Sequence, residues 1–431
     1  MENAIFVLIL SAIFYVYVYI KRRPGLLSLY SFFGIQWLYY WLGTYLIIIG
    51  FFPNNVFGGM ALNNNGEVVS VFLLFNALSL FVFSLIYLVF GRIDRSAART
   101  FEPPVEKKYA KKHVFFIFLI LTIFNVLMLV LSVKTRYMGA DWLTHSINAN
   151  IRNVFVGVFI YYMLVEKIEL LTLIVFLGFC FSTFLYGGRM YLLVATAAYM
   201  AYLFNRRIIN VRHLVILGLV GSLFLSAIAL YRSNIIDRVV RTPKYLLMPI
   251  YADSVFSAYP ALYIIDRWQR GGITYYTMFT HYLVDSVLIY VPNFVYAASG
   301  ENKIAESGLL ASWQDDNGGI GRMSPQGGFH YIAEAMAAGG FFGIIAFSAL
   351  LAFIFIFFER MRRRGLSGQF FYYSFLGVAG VDIVSEKFAW CFRYFTQNVF
   401  SVLLLIFIVQ LFSEGAVNLK RKRALALERS K

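Results

Sequence analysis

Along this chain, long uninterrupted apolar runs alternate with short polar stretches. Residues 4–20 read AIFVLILSAIFYVYVYI, residues 69–90 VSVFLLFNALSLFVFSLIYLVF and residues 114–133 VFFIFLILTIFNVLMLVLSV. Each approaches or exceeds the roughly 20 residues that a helix needs to cross a hydrocarbon core about 30 Å thick. The runs show no period-2 alternation, which argues for spanning helices and against a barrel built of short alternating strands. Segments of this kind begin near residues 4, 28, 69, 114, 151, 170, 190, 214, 331, 369 and 396. The pattern predicts an all-α polytopic membrane protein with about 11 transmembrane helices, a single integral membrane domain over residues 1–431. Residues 232–330 make one long polar loop, far beyond an ordinary connection. Inside it, residues 245–265 and 281–297 are apolar but interrupted by Asp253, Pro260, Asp285 and Pro292. They read as re-entrant or interfacial helices, and if both span, the count becomes about 13.

Composition agrees with the pattern: 60% of the 431 residues are hydrophobic and 14% charged, against about 25% charged in a soluble domain. The first run lacks a basic n-region and is followed by KRRPG, so it reads as a retained helix and not as a cleaved signal. The two cysteines, Cys180 and Cys391, support neither a disulfide framework nor a Cys-based metal site. The net charge of +16 is spread in short clusters between helices, which suits insertion topology and gives nucleic acid no basic domain to bind. Loops 21–23, 92–112, 166–169, 206–212, 359–364 and the tail from 420 hold 24 of the 38 Lys and Arg. By the positive-inside rule these are cytoplasmic, so the N-terminus and the long loop face outward and the C-terminus inward.

Two clusters carry candidate chemistry on the outer face. In YGGRM (186–190) the glycines allow close backbone approach at a helix end and leave Arg189 at the boundary. YRSNIIDRVVR (231–241) adds Arg232, Arg238 and Arg241, opposed only by Asp237. Arginines on this face run against the positive-inside trend and ask for an anion. A lipid diphosphate suits them, because guanidinium forks pair bidentately with phosphate oxygens. The blander reading is snorkelling at anionic headgroups. The second cluster, GRMSPQGGFHYIAEAMAAGGFFG (321–343), leads from a glycine-rich loop carrying Arg322 into a spanning helix. His330 and Glu334 stand four apart, on one helical face, and that pair can act as a general base with a carboxylate that orients it. A polar tip in the headgroup layer is the simpler role. Ala335, Ala337, Ala338, Gly339 and Gly340 read as a close-packing stripe. Asp315 and Asp316 are adjacent loop acids without further ligands, and the outer connection 381–394 contributes Asp382, Glu386, Lys387, Trp390 and Arg393. No Walker loop or dinucleotide fingerprint occurs, so no nucleotide cofactor is expected.

In these features the chain resembles the Wzy O-antigen and oligosaccharide repeat-unit polymerases, relatives of the O-antigen ligases. The likeness rests on GGR at 187–189, the arginines after the next helix, the long outer loop and GFHYIAEAMAAGGFFG. The resemblance implies a GT-C-like, metal-independent glycosyltransferase in a bacterial inner membrane, acting at the periplasmic face. Donor and acceptor would be undecaprenyl-diphosphate-linked glycans, with a polysaccharide chain-length regulator as a candidate partner. It further implies that Arg189 and Arg232, with Arg238, Arg241 or Arg322, hold the diphosphate, and that His330 or Glu334 takes the acceptor proton. His330 falls where the ligases keep a histidine and Glu334 near the glutamate of many polymerases, so transfer to lipid A core is the nearest alternative. A lipid-linked-oligosaccharide flippase or transporter, or a structural partner of an export complex, are the rivals from other classes.

Overall fold

A computed structural model of the chain describes residues 2–48, 66–91, 119–127, 130, 142–165, 170–186, 189–221, 248–271, 330–384, 388 and 390–408. Among the described residues every regular element is a helix and none is a strand. We number them α1 (Glu2–Arg22), α2 (Leu29–Ile48), α3 (Gly66–Phe90), α4 (Trp142–Val165), α5 (Leu170–Tyr186), α6 (Arg189–Asn205), α7 (Val211–Gly221), α8 (Met248–Gln269), α9 (Tyr331–Met361), α10 (Gly365–Asp382) and α11 (Trp390–Ile408). Among the described residues four helices, α1, α3, α9 and α11, are long and apolar enough to cross a membrane. Shorter apolar helices accompany them, such as Asn150–Val165 and Tyr191–Asn205. The outward faces are as apolar as the buried ones: Phe6, Ile13 and Ile20 of α1 are about 60% exposed, opposite buried Leu8 and Val18. Such continuous exposed apolar surface belongs against lipid. The chain is a helical membrane protein.

It divides into two compact units. The first comprises Met1–Ala98, Met200–Arg360 and Val378–Arg393. Here α1 packs along α3, and α8 lies against α2 and α3. The core is aromatic. Tyr15 stacks on Tyr30 at 4.2 Å, Tyr30 meets Tyr87 at 4.5 Å, and Phe33 stacks on Phe83 at 4.2 Å. The Tyr15 and Tyr30 hydroxyls each donate to the other residue's carbonyl oxygen, so the stacked pair buries no idle hydroxyl. Gly34 makes room for this clasp, since a Cβ there would meet the Tyr15 ring and hydroxyl at about 2.5 Å. The apolar segment 245–265, read as a re-entrant or interfacial helix, lies largely in one continuous helix, α8, with Pro260 buried inside it.

The second unit comprises Arg99–Tyr199, Met361–Gly377 and Tyr394–Lys431. Phe155 stacks on Phe179 at 4.1 Å and Phe159 on Phe176 at 4.9 Å, joining α4 to α5. Small residues set the closest contacts. A Cβ on Gly157 of α4 would fall 2.3 Å from the Asn398 carbonyl of α11, and one on Gly377 of α10 would fall 2.7 Å from the Val194 carbonyl of α6.

The 31-residue α9 is not one rod. Gly339 and Gly340 leave helical geometry, and Gly340 holds φ 59°, ψ −139°, a region open in practice to glycine alone. The break separates a short leg, Tyr331–Ala338, from the leg Phe341–Met361. At about 1.5 Å per residue the second leg is about 31 Å long, enough by itself to cross a membrane. All eight residues of the first leg are buried. Just past the break the chain presses on that leg: a Cβ on Gly343 would lie 2.0 Å from the Ala335 carbonyl oxygen. The small residues that read as a packing stripe thus also make a break in the helix.

Candidate functional site

The short leg of α9 begins at a polar junction in the first unit. His330 precedes the helix and is 1% exposed. Its N–H donates to the Ser257 carbonyl of α8 at 2.8 Å, and its Nδ1 accepts from the Ile332 N–H at 3.2 Å. The side chain thereby satisfies one of the orphan donors of the helix start, the service an N-cap performs. The Tyr331 N–H donates to the Val384 carbonyl at 3.0 Å and the Ala333 N–H to the His330 carbonyl at 2.8 Å. With its first amides spent on the protein itself, this helix end is not an open anion site. The His330 ring stacks on Tyr331 at 4.9 Å and meets Phe72 and Tyr40 edge-on at 5.7 and 6.4 Å. Burial among these rings pushes its imidazole down to about 3, so the ring is neutral at physiological pH. Because Nδ1 accepts, Nε2 carries the proton. The expected polar tip in the headgroup layer is therefore a buried, aromatic-lined imidazole.

Glu334, one turn on, is also 1% exposed. Its Oε2 accepts the Phe388 N–H at 2.7 Å. His330 and Glu334 thus face different partners, and no hydrogen bond joins them. A second acid ends α10: Asp382 is 6% exposed, and its Oδ2 has no hydrogen-bond partner among the described residues. Gln36 of α2 ties this corner together, donating to the Ala379 carbonyl at 2.6 Å and accepting from the Val384 N–H at 3.2 Å. These bonds tie α2, α8, α9 and α10 to one another at the start of α9.

Arg189 is the first residue of α6 and belongs to the second unit. Arg232, Arg238, Arg241 and Arg322 lie outside the described residues, as do Asp315, Asp316, Glu386 and Lys387. Arg393 lies over the Trp390 ring at 5.0 Å, an arrangement at home in an interfacial belt. No three His, Cys, Asp or Glu side chains among the described residues cluster as metal ligands would.

Two residues of consequence escaped the sequence reading. Gln36 stands in SFFGIQWLYY, and Arg152 is the one charge in ANIRNVFVGVF. A polar residue inside an apolar run was the signal for each, since lipid-facing positions do not tolerate them. No family model matches the chain, nor does any curated protein or solved structure.

Proposed function

We propose that this protein joins lipid-linked oligosaccharide units at the outer face of a bacterial inner membrane, as a glycosyltransferase of the O-antigen polymerase type. The observation that carries the reading is the burial of His330 and Glu334 on a separate helical leg at the start of a spanning helix. Acid and base groups are costly at such a place and are commonly kept there for function. The outer arginines of the sequence add the anion affinity that a diphosphate leaving group requires.

In the proposed reaction a hydroxyl of the acceptor glycan attacks the anomeric carbon of the donor. A new C–O bond forms as the bond to the diphosphate breaks. Undecaprenyl diphosphate leaves with the electron pair, stabilised by Arg189 and Arg232 with help from Arg238, Arg241 or Arg322. The hydroxyl proton passes to His330 or Glu334. His330 can take it only on Nδ1, by giving up the Ile332 N–H, since Nε2 already carries a proton.

The test supplies purified protein in vesicles with undecaprenyl-diphosphate-linked repeat units. Chains of two or more units are expected, shortened or lost on Arg189→Ala and Arg232→Ala. Single units that remain single overturn the reading. If they change leaflet, the protein is a flippase, and if glycan appears on added lipid A core, it is a ligase.

A further inference from the structure

Serine in a membrane helix ordinarily returns its hydroxyl to the backbone of its own helix, three or four residues back. Ser11 does so with the Val7 carbonyl at 3.0 Å and Ser84 with the Leu80 carbonyl at 2.7 Å. Ser79 of α3 and Ser348 of α9 depart from that habit. Both are 0% exposed, and their hydroxyls meet each other across the two helices at 2.6 Å. The buried Tyr331 hydroxyl donates to Ser79 Oγ at 2.5 Å.

Tyr331 opens the short leg of α9, and Ser348 lies in the long leg. The three hydroxyls therefore join both legs through one atom of α3. The helical ladder does not run unbroken through Gly339 and Gly340, so this link couples the legs where the backbone couples them less. A buried polar chain of this kind rigidifies the groups it joins and selects one arrangement of them.

The neighbours of Tyr331 give the link a task. The His330 ring stacks on the Tyr331 ring at 4.9 Å, and Phe33 of α2 meets the same ring edge-on at 5.9 Å. Phe72 stands seven residues before Ser79, on the same face of α3, and meets the imidazole at 5.7 Å. α3 thus touches His330 directly through Phe72 and, through Ser79, fixes the ring on which the imidazole lies. A phenylalanine at 331 would stack as well, but nothing would hold the far end of its ring.

We propose that Ser79 is a positioning residue of the transfer reaction. Anchored by Ser348, it holds Tyr331 and, with it, the leg that carries His330 and Glu334 in register with the acceptor hydroxyl. The proposal rests on the glycosyltransferase reading and extends its site from α9 to α3.

The experiment measures chain growth from undecaprenyl-diphosphate-linked repeat units in vesicles for wild type, S79A, Y331F, the double variant and S11A, with hydrogen–deuterium exchange of residues 331–338 on the same preparations. The kcat of S79A and of Y331F is expected to fall about tenfold with KM within about twofold of wild type, since a misplacement of about 1 Å can cost about a hundredfold. The double variant should stay within about twofold of the slower single variant, because both changes cut one link. S11A, whose hydroxyl serves its own helix, should match wild type. Exchange over 331–338 should quicken in S79A and Y331F and not in S11A. If Y331F, which keeps the ring and loses one oxygen, grows chains at the wild-type kcat, the hydroxyls only tie the helices together and the proposal is wrong. A rise in KM with kcat unchanged, additive losses in the double variant, or unaltered exchange in Y331F overturns it equally. Should S79A give no monodisperse protein, Y331F alone decides. Wild-type protein that makes no chains defeats the glycosyltransferase reading itself, an outcome distinct from a slow variant of an active enzyme.

Discussion

Glu334 and Glu359 sit near opposite ends of the same helix, and at first sight do the same thing. Each is buried, and each accepts a backbone N–H from another segment: Glu334 from Phe388 at 2.7 Å and Glu359 from Leu29, the first residue of α2, at 2.9 Å. Such a bond to a charged acceptor stabilises a fold by about 1.5–3 kcal/mol. Glu359 lies beside Arg360, whose Nη2 donates to the Phe90 carbonyl at 2.8 Å. Glu334 instead stands one turn after a neutral imidazole, and its partner Phe388 follows closely in the chain on Asp382, whose Oδ2 has no hydrogen-bond partner among the described residues. Accepting a backbone N–H is therefore no mark of catalysis. The presence of other proton-accepting groups nearby in the chain is what distinguishes Glu334 from Glu359.

The largest effect on this contrast should come from removing the geometry that makes the Glu334 end different. Gly343→Ala drives a methyl group into the Ala335 carbonyl, 2.0 Å away, while leaving the Glu359 end untouched. A loss of about 3 kcal/mol or more is expected, read as a collapse in folded yield and thermal stability in detergent. Next comes the direct comparison. E334Q and E359Q each keep a side-chain carbonyl for the N–H and should lose similar, modest stability. In the vesicle assay E334Q should slow chain growth by about a hundredfold or more, and E359Q should stay within a few-fold. Equal activity of the two variants would reduce Glu334 to a structural acceptor.

The smallest effect belongs to His330. H330N retains an acceptor for the Ile332 N–H, so near neutral pH its stability should change by no more than about 1 kcal/mol. The pH profile is the sharper readout. His330 titrates near 3 when folded and at the ordinary 6.5 when unfolded. Between those values the unfolded chain holds the proton and the folded chain does not, so acid costs stability as pH falls from 6.5 toward 3. H330N should flatten that part of the unfolding profile, measured by thermal melts across the window.

How far these features could be read in advance depended on the range of the interaction behind each. Apolar runs such as 69–90 are local, and α3 follows them closely over Gly66–Phe90. The glycine pair 339–340 was visible, but in a membrane helix adjacent small residues signal close contact as readily as a break, and only the long-range press of Gly343 on Ala335 decides between the two. His330 as a cap was not legible, because Ser, Thr, Asp and Asn are the usual capping residues and an imidazole does the task only when neighbours fix its ring. Gln36 binds residues more than 300 positions away, which no local pattern encodes. Residues 245–265 were legible as helix-forming in spite of Pro260, whose ring removes a single N–H from α8.

The break in α9 carries a mechanical implication. Because Gly339 and Gly340 leave helical geometry, the helical ladder does not run unbroken from Phe341–Met361 into Tyr331–Ala338. The short leg is held by its neighbours in the first unit, through the bonds of His330, Tyr331 and Glu334 to Ser257, Val384 and Phe388, so it can shift or settle without bending the long leg.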